Sequence, residues 1–205
     1  MFKKPIIVFE GIEGSGKSHH INNVAKYLKK KKINFIQIRE PGGNKNSEKI
    51  RKLILDNKST FNKCTDLLLY MSARSENIDL IKKNNGKKII LIDRFIDSTI
   101  AYQHFGMGVD IKFIKILNNF LLEKIKINFT FLNLVNPKNM AVRLKSRRVL
   151  NRYDKFENNF YKKVQKGFLK ISNKNPRKYM QINSNLSIAN NEKIILNKIN
   201  DLISK

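Results

Sequence analysis

The chain has 205 residues, enough for one domain that buries roughly 70% of the surface its unfolded chain exposes. Apolar residues make up 41% of it, and no apolar run approaches the ~18–20 residues of a membrane span, so a soluble protein without membrane contact is expected. The formal net charge of +26 raises nucleic-acid binding, but the lysines are scattered through every segment among Asn, Ile and Phe, as A+T-rich coding would leave any solvated surface.

Residues 5–10 (PIIVFE) read as a buried strand running into a glycine-rich turn. Glu10 and the lack of a small-residue cleavage site argue against a signal peptide. A helix is expected over 18–32, where Ile21, Val24, Ala25 and Leu28 keep helical spacing, and a strand over 33–38. Arg39-Glu40-Pro41-Gly42-Gly43 must be a loop, followed by helices over 47–55 and 65–83. Residues 87–93 (KKIILID) form a wholly apolar strand ending in a carboxylate, the pattern of a central parallel strand. Further strands are expected over 128–134 and 179–183. Pro137 suits the first turn of a helix, and two more helices are expected over 156–172 and 191–203. This alternation predicts a single α/β domain over 1–205, a three-layer, doubly wound parallel sheet of about five strands with helices on both faces. Its ligand belongs at the carboxyl edge. Cys64 is the only cysteine, so no intrachain disulfide can form and a reducing cytoplasm is the expected location.

Gly11-Ile12-Glu13-Gly14-Ser15-Gly16-Lys17-Ser18 satisfies the phosphate-loop pattern after a strand and before a helix. Glycines let backbone N–H groups close around phosphates, Lys17 brings a cation to the β- and γ-phosphates, and Ser18 can ligand Mg²⁺. Asp93 stands where such proteins keep a strand-terminal carboxylate for Mg²⁺, and Arg94 beside it suits another phosphate. Arg143, Arg147, Arg148 and Arg152 are four of the chain's nine arginines, in a chain whose bias favours lysine. Because Ile12, Glu13, Gly14 and Ser15 carry no cation, this segment is expected to act as a short lid over about 143–155, supplying arginine to the transferring phosphoryl group. Tyr70 and Arg74 share a helical face at i and i+4. They read either as a stacking and hydrogen-bonding pair for a base or as a core tyrosine and a surface cation.

Together with Ser98-Thr99-Ile100-Ala101-Tyr102-Gln103, these stretches resemble the bacterial thymidylate kinases, from Ile6 to the last strand. The resemblance implies a P-loop nucleoside monophosphate kinase fold, ATP and Mg²⁺, thymidine monophosphate as acceptor and a homodimer. It implies stacking on thymine by Tyr70, a base contact by Arg74, and Glu13 near the deoxyribose 3′-hydroxyl. Arg51 and Arg94 match phosphate binders, and Pro41, Ser98, Thr99, Tyr102 and Gln103 line the acceptor pocket. Lys17, Arg94, Arg147 and Arg152 are the expected catalytic cations, with Arg143 beside ATP and Ser18 and Asp93 on the metal. Two departures mark the chain: Asn151-Arg152-Tyr153-Asp154 in place of Asp-Arg-x-Glu, and Ile182-Asn183-Ser184 in place of Ile-Asp-Ala. A nucleoside kinase using Glu40 as base, and a nucleic-acid-stimulated ATPase, are the rival readings.

Overall fold

Every residue of strand β1 (Ile6–Gly11) is buried, because the strand runs through the middle of a sheet covered on both faces. The computed structural model describes residues 3–146 and 151–204. In it β1, β2 (Phe35–Arg39), β3 (Ile89–Asp93), β4 (Phe129–Leu134) and β5 (Tyr179–Asn183) form one parallel sheet in the order β2-β3-β1-β4-β5. The register pairs Phe9 with Asp93 on one side of β1 and Gly11 with Asn133 on the other. Alternate side chains of β1 feed opposite cores. Ile7 and Phe9 pack on α1 (Lys17–Lys30) and α8 (Ile188–Ile203) through Val24, Leu28, Ile195 and Ile199. Ile6 and Val8 face α3 (Lys63–Asn84) through Ile78 and Ile81. The three layers agree with the expected architecture. From β1 the chain passes over β3 to reach β2, then crosses from β3 to the far side of β1. The crevice between the carboxyl ends Gly11 and Asp93 is therefore the topological switch point.

Helix α2 (Lys45–Leu55) and α3 each begin two residues before the apolar periodicity does. Asn44 accepts hydrogen bonds from the backbone of Asn46 and Ser47, and Asn62 from Cys64 and Thr65, so each asparagine caps a turn that carries no apolar signal. Pro137 opens α6 (Pro137–Lys145) as expected, behind the cap Asn136. Residues 95–127, to which the sequence pattern assigns no element, contain α4 (Ile96–Thr99), a π-helical stretch Ile100–Gly106 and α5 (Ile111–Leu122). A π turn has no 3.6-residue period to read. It is held by α7 (Asn158–Lys174) at two glycines: a Cβ on Gly167 would lie 2.5 Å from the Phe105 ring, and one on Gly106 would lie 2.6 Å from that of Phe160. That close approach fixes Tyr102 and Gln103 in the π stretch. Among the described residues no helix is long and apolar enough to cross a membrane.

Candidate active site

Gly16 adopts φ +84°, and no side chain caps α1, so the helix presents its first N–H groups to the loop rather than to a cap. Lys17 is buried beneath that loop, its Nζ donating to Ile12 O at 2.9 Å and Ser15 Oγ at 3.4 Å. Burial and then the neighbouring Arg94 pull its pKa down to about 8. Ser18 Oγ donates to Asp93 Oδ2 at 3.0 Å, while the buried Asp93 Oδ1 has no partner among the described residues. A hydroxyl and an orphaned carboxylate oxygen side by side fit a hard divalent cation. No group of three His, Cys, Asp or Glu side chains among the described residues forms a cage, so such an ion would complete its shell from phosphate and water.

Arg94 follows β3 with φ +65°, a strained backbone for a residue with a Cβ, and this turns its side chain over the loop. Nη1 donates to Gly11 O at 2.8 Å and Nη2 to Glu13 Oε1 at 2.8 Å; the Tyr102 hydroxyl donates to Glu13 Oε2. Burial opposes charge on both partners. The Glu13 carboxylate, followed by Tyr102 and Asp93, nonetheless holds the Arg94 pKa well above its ordinary value, and Arg94 with Lys17 depresses that of Glu13. Behind them Glu10, fully buried in β1, accepts from Phe95 N at 2.8 Å, Ser98 N at 3.2 Å and Ser98 Oγ at 2.5 Å. Burial and then Asp97 push the Glu10 pKa up to about 7.

Across the cleft, Arg51 Nη1 donates to Pro41 O at 2.6 Å. Tyr70 lines the wall, its ring edge-on to Tyr153 at 6.0 Å between centroids. Gln103 donates through Nε2 to Asp66 at 3.0 Å and keeps a buried Oε1 with no partner among the described residues. Glu13, Lys17, Ser18, Pro41, Arg51, Tyr70, Asp93, Arg94, Ser98, Tyr102 and Gln103 thus meet in one cleft, as their positions in the sequence led us to expect.

Three residues expected at the site, Arg74, Thr99 and Arg152, do not line the cleft. Arg74 is neither a surface cation nor part of the cleft wall. It is 2% exposed, with Nε bound to Glu40 Oε2 at 2.8 Å, Nη1 to Asn118 at 2.6 Å and Nη2 to Thr99 at 3.0 Å. A guanidinium at that depth requires a carboxylate and a full set of acceptors, and Thr99 lies beneath the wall for the same reason. Arg152 does not face the loop. Its Nη2 binds Asp66 and its Nε donates to Ile54 O at 3.1 Å, while Asn151 and Tyr153 on either side of it line the cleft. Arg143 bridges Gly14 O at 2.9 Å and Ser184 O at 2.7 Å, on the donor side. Arg147 lies outside the described residues.

The wall also includes Arg39, Leu55, Asn151 and Tyr153, to which the sequence reading assigns no site role. Arg39 was findable, since it ends β2 in register with Asp93 and is held by Glu48 at 2.9 and 2.8 Å. Asp66, Asn118 and Glu10 were not, because each acts beneath the wall.

Fold and cleft define a P-loop nucleotide-binding enzyme whose phosphate loop opens onto a cleft lined by arginine and tyrosine. A family model described as thymidylate kinase matches residues 9–195. The chain is 37% identical to a thymidylate kinase of Acholeplasma laidlawii over 196 residues, 94% of this chain and 97% of that one. It is likewise 37% identical to one of Sulfurihydrogenibium over 199 residues, 94% and 95% of the two chains. The crystal structure of a thymidylate kinase from Ehrlichia chaffeensis superposes with a TM-score of 0.75 at 30% identity, covering 96% of this chain and 98% of the other. The chain belongs to the thymidylate kinase family.

Proposed function

We propose that the chain transfers the terminal phosphoryl group of ATP to thymidine monophosphate. The observation that carries this reading is Arg94, held between the phosphate-loop carbonyl of Gly11 and Glu13 in the same cleft as Lys17. There a fixed guanidinium meets the acceptor phosphate while Lys17 meets that of the donor, and positioning with charge stabilisation is most of what phosphoryl transfer requires. Tyr70 supplies a stacking face, the unpartnered Gln103 Oε1 an acceptor for a base N–H, and Arg51 a second cation for the acceptor phosphate. Ser18 and Asp93 would hold Mg²⁺, which when bound neutralises charge on the bridging phosphate oxygens. Arg147, by its place in the motif, is the remaining lid candidate for the transferring phosphoryl, and Arg147→Lys should then lose most of kcat. The exposed apolar side chains Phe113, Ile116 and Phe120 on α5, the last 78% exposed, support a homodimer through that helix. The unpaired Cys64 supports a cytoplasmic location. A coupled assay across the common nucleoside monophosphates tests the reading: turnover should require thymidine or deoxyuridine monophosphate. Turnover with free thymidine, or ATP hydrolysis driven by DNA or RNA, would replace it with one of the rivals.

A further inference from the structure

Asp66 lies one turn before Tyr70 on α3, 1% exposed, and three donors converge on it. Oδ2 accepts from Gln103 Nε2 at 3.0 Å and from the Tyr153 hydroxyl at 2.7 Å, and Oδ1 accepts from Arg152 Nη2. Arg152 also lies over the Phe61 ring at 5.4 Å and Tyr161 donates to Tyr153 O at 2.6 Å, so the 3₁₀ turn Arg152–Lys155 is held to the body of the protein by packing and by hydrogen bonds, of which those to Asp66 are the ones shared with Gln103. Burying a carboxylate beside a ligand cleft is costly, and Arg152 on Oδ1 with the two neutral donors on Oδ2 together offset that cost.

Amide chemistry gives the arrangement a use. A carboxylate only accepts, so a hydrogen bond to it fixes which end of the Gln103 amide is nitrogen and leaves the oxygen for the cleft. Thymine and uracil carry an N–H at ring position 3, which an amide oxygen can accept; cytosine has a lone pair there, which an amide oxygen repels. Resting on the reading of the cleft as the thymidine monophosphate site, we propose that Asp66 is a positioning residue that sets the polarity of Gln103 toward the base and, through Arg152 and Tyr153, ties the turn Arg152–Lys155 to that same amide.

Asp66→Asn keeps the shape but offers a group that both donates and accepts, so Gln103 loses its fixed sense. In a variant that melts cooperatively, the KM for thymidine monophosphate should rise about tenfold or more, with the KM for ATP within about twofold. The preference in kcat/KM for thymidine over cytidine deoxymonophosphate should fall by a similar factor. Amide exchange over residues 151–157 should be slowed by thymidine monophosphate in the parent and not in Asp66→Asn. Tyr153→Phe removes one of the three bonds and leaves Gln103 on Asp66; it should weaken that protection while keeping the parental discrimination against cytidine. An Asp66→Asn enzyme with parental KM, base preference and nucleotide-induced protection has lost only a structural ion pair, and the proposal is overturned. If Asp66→Asn does not fold, Tyr153→Phe decides, and protection equal to the parent's overturns the tie. A parent that turns over no thymidine monophosphate sinks the reading of the cleft and the proposal with it, and the parental assay tells that failure apart.

Discussion

The cations on the donor side of the cleft rest on uncharged oxygens, and those beneath the acceptor side rest on buried carboxylates. Lys17 donates to Ile12 O and Ser15 Oγ, and Arg143 to Gly14 O and Ser184 O. Arg74 is paired with Glu40, and Arg152 with Asp66. The difference concerns what each cation can leave. A hydrogen bond from a cation to an uncharged oxygen contributes a net ~1.5–3 kcal/mol, and a phosphate that takes the oxygen's place strands no charge, so the exchange is made at little loss. Withdrawing a cation from a buried carboxylate strands a charge and costs about 3–5 kcal/mol. Donor-side cations are therefore exchangeable, and those beneath the acceptor side are scaffolding. Arg94 stands between them with partners of both kinds, Gly11 O among the uncharged ones and Glu13 as the carboxylate.

The contrast is broken most directly at its two ends. Lys17→Ala should lower kcat by about 10³-fold or more, because no other side chain of the loop is cationic, yet change the unfolding midpoint little. Activity near that of the parent would remove the loop from the chemistry. On the scaffold side, Glu40→Gln should cost about 3–5 kcal/mol in urea unfolding by stranding Arg74, whereas Arg143→Met, which strands no charge, should cost less, about 1.5–3 kcal/mol. If the two costs are equal, partner charge does not separate the two sides.

A smaller effect sharpens the acceptor side alone. Tyr70→Ala should raise the KM for thymidine monophosphate by the equivalent of about 1–3 kcal/mol of stacking, with the KM for ATP little changed. Equal weakening of both nucleotides would make Tyr70 a packing residue for Tyr153 and nothing more.

The donor side was legible because it is local. The loop, the strand that enters it and the helix that leaves it are consecutive, so spacing alone locates Lys17 and Ser18, and an apolar strand ending in Asp93-Arg94 adds the rest. The scaffold of the acceptor side was not. Glu40 and Arg74 are 34 residues apart, and Asp66 and Arg152 are 86 apart, so each pair is made by tertiary packing that carries no periodic signal. Tyr70 and Arg74 do share a helical face, as their spacing requires, but spacing does not report depth. One turn along α3 carries the chain from the cleft wall to a fully buried pair. Residues 95–127 hid for another reason: the π stretch breaks helical periodicity at the point where it delivers Tyr102 and Gln103 to the site.

The parking of Lys17 on neutral oxygens has a further, smaller consequence in its titration. Burial and the adjacent Arg94 lower its pKa to about 8, and no carboxylate bonds to its Nζ directly. In the free enzyme Lys17 therefore loses its proton as the pH rises through about 8, and kcat/KM for ATP, which reports free-enzyme ionisations, should fall about tenfold for each pH unit above that point. Bound phosphates favour the charged form, so kcat at saturating ATP should stay level to higher pH. Stability should move the other way. Between about pH 8 and the ordinary lysine value near 10.5, the unfolded chain binds a proton that the folded one does not, so stability at this residue rises with pH. Relative to Lys17→Met, the parent should therefore gain stability across that interval while losing kcat/KM for ATP. A flat kcat/KM profile to pH 9.5 would mean that a carboxylate such as Glu13 or Asp93 holds Lys17 charged, and that the donor side is built on the same ion-pair principle as the acceptor side.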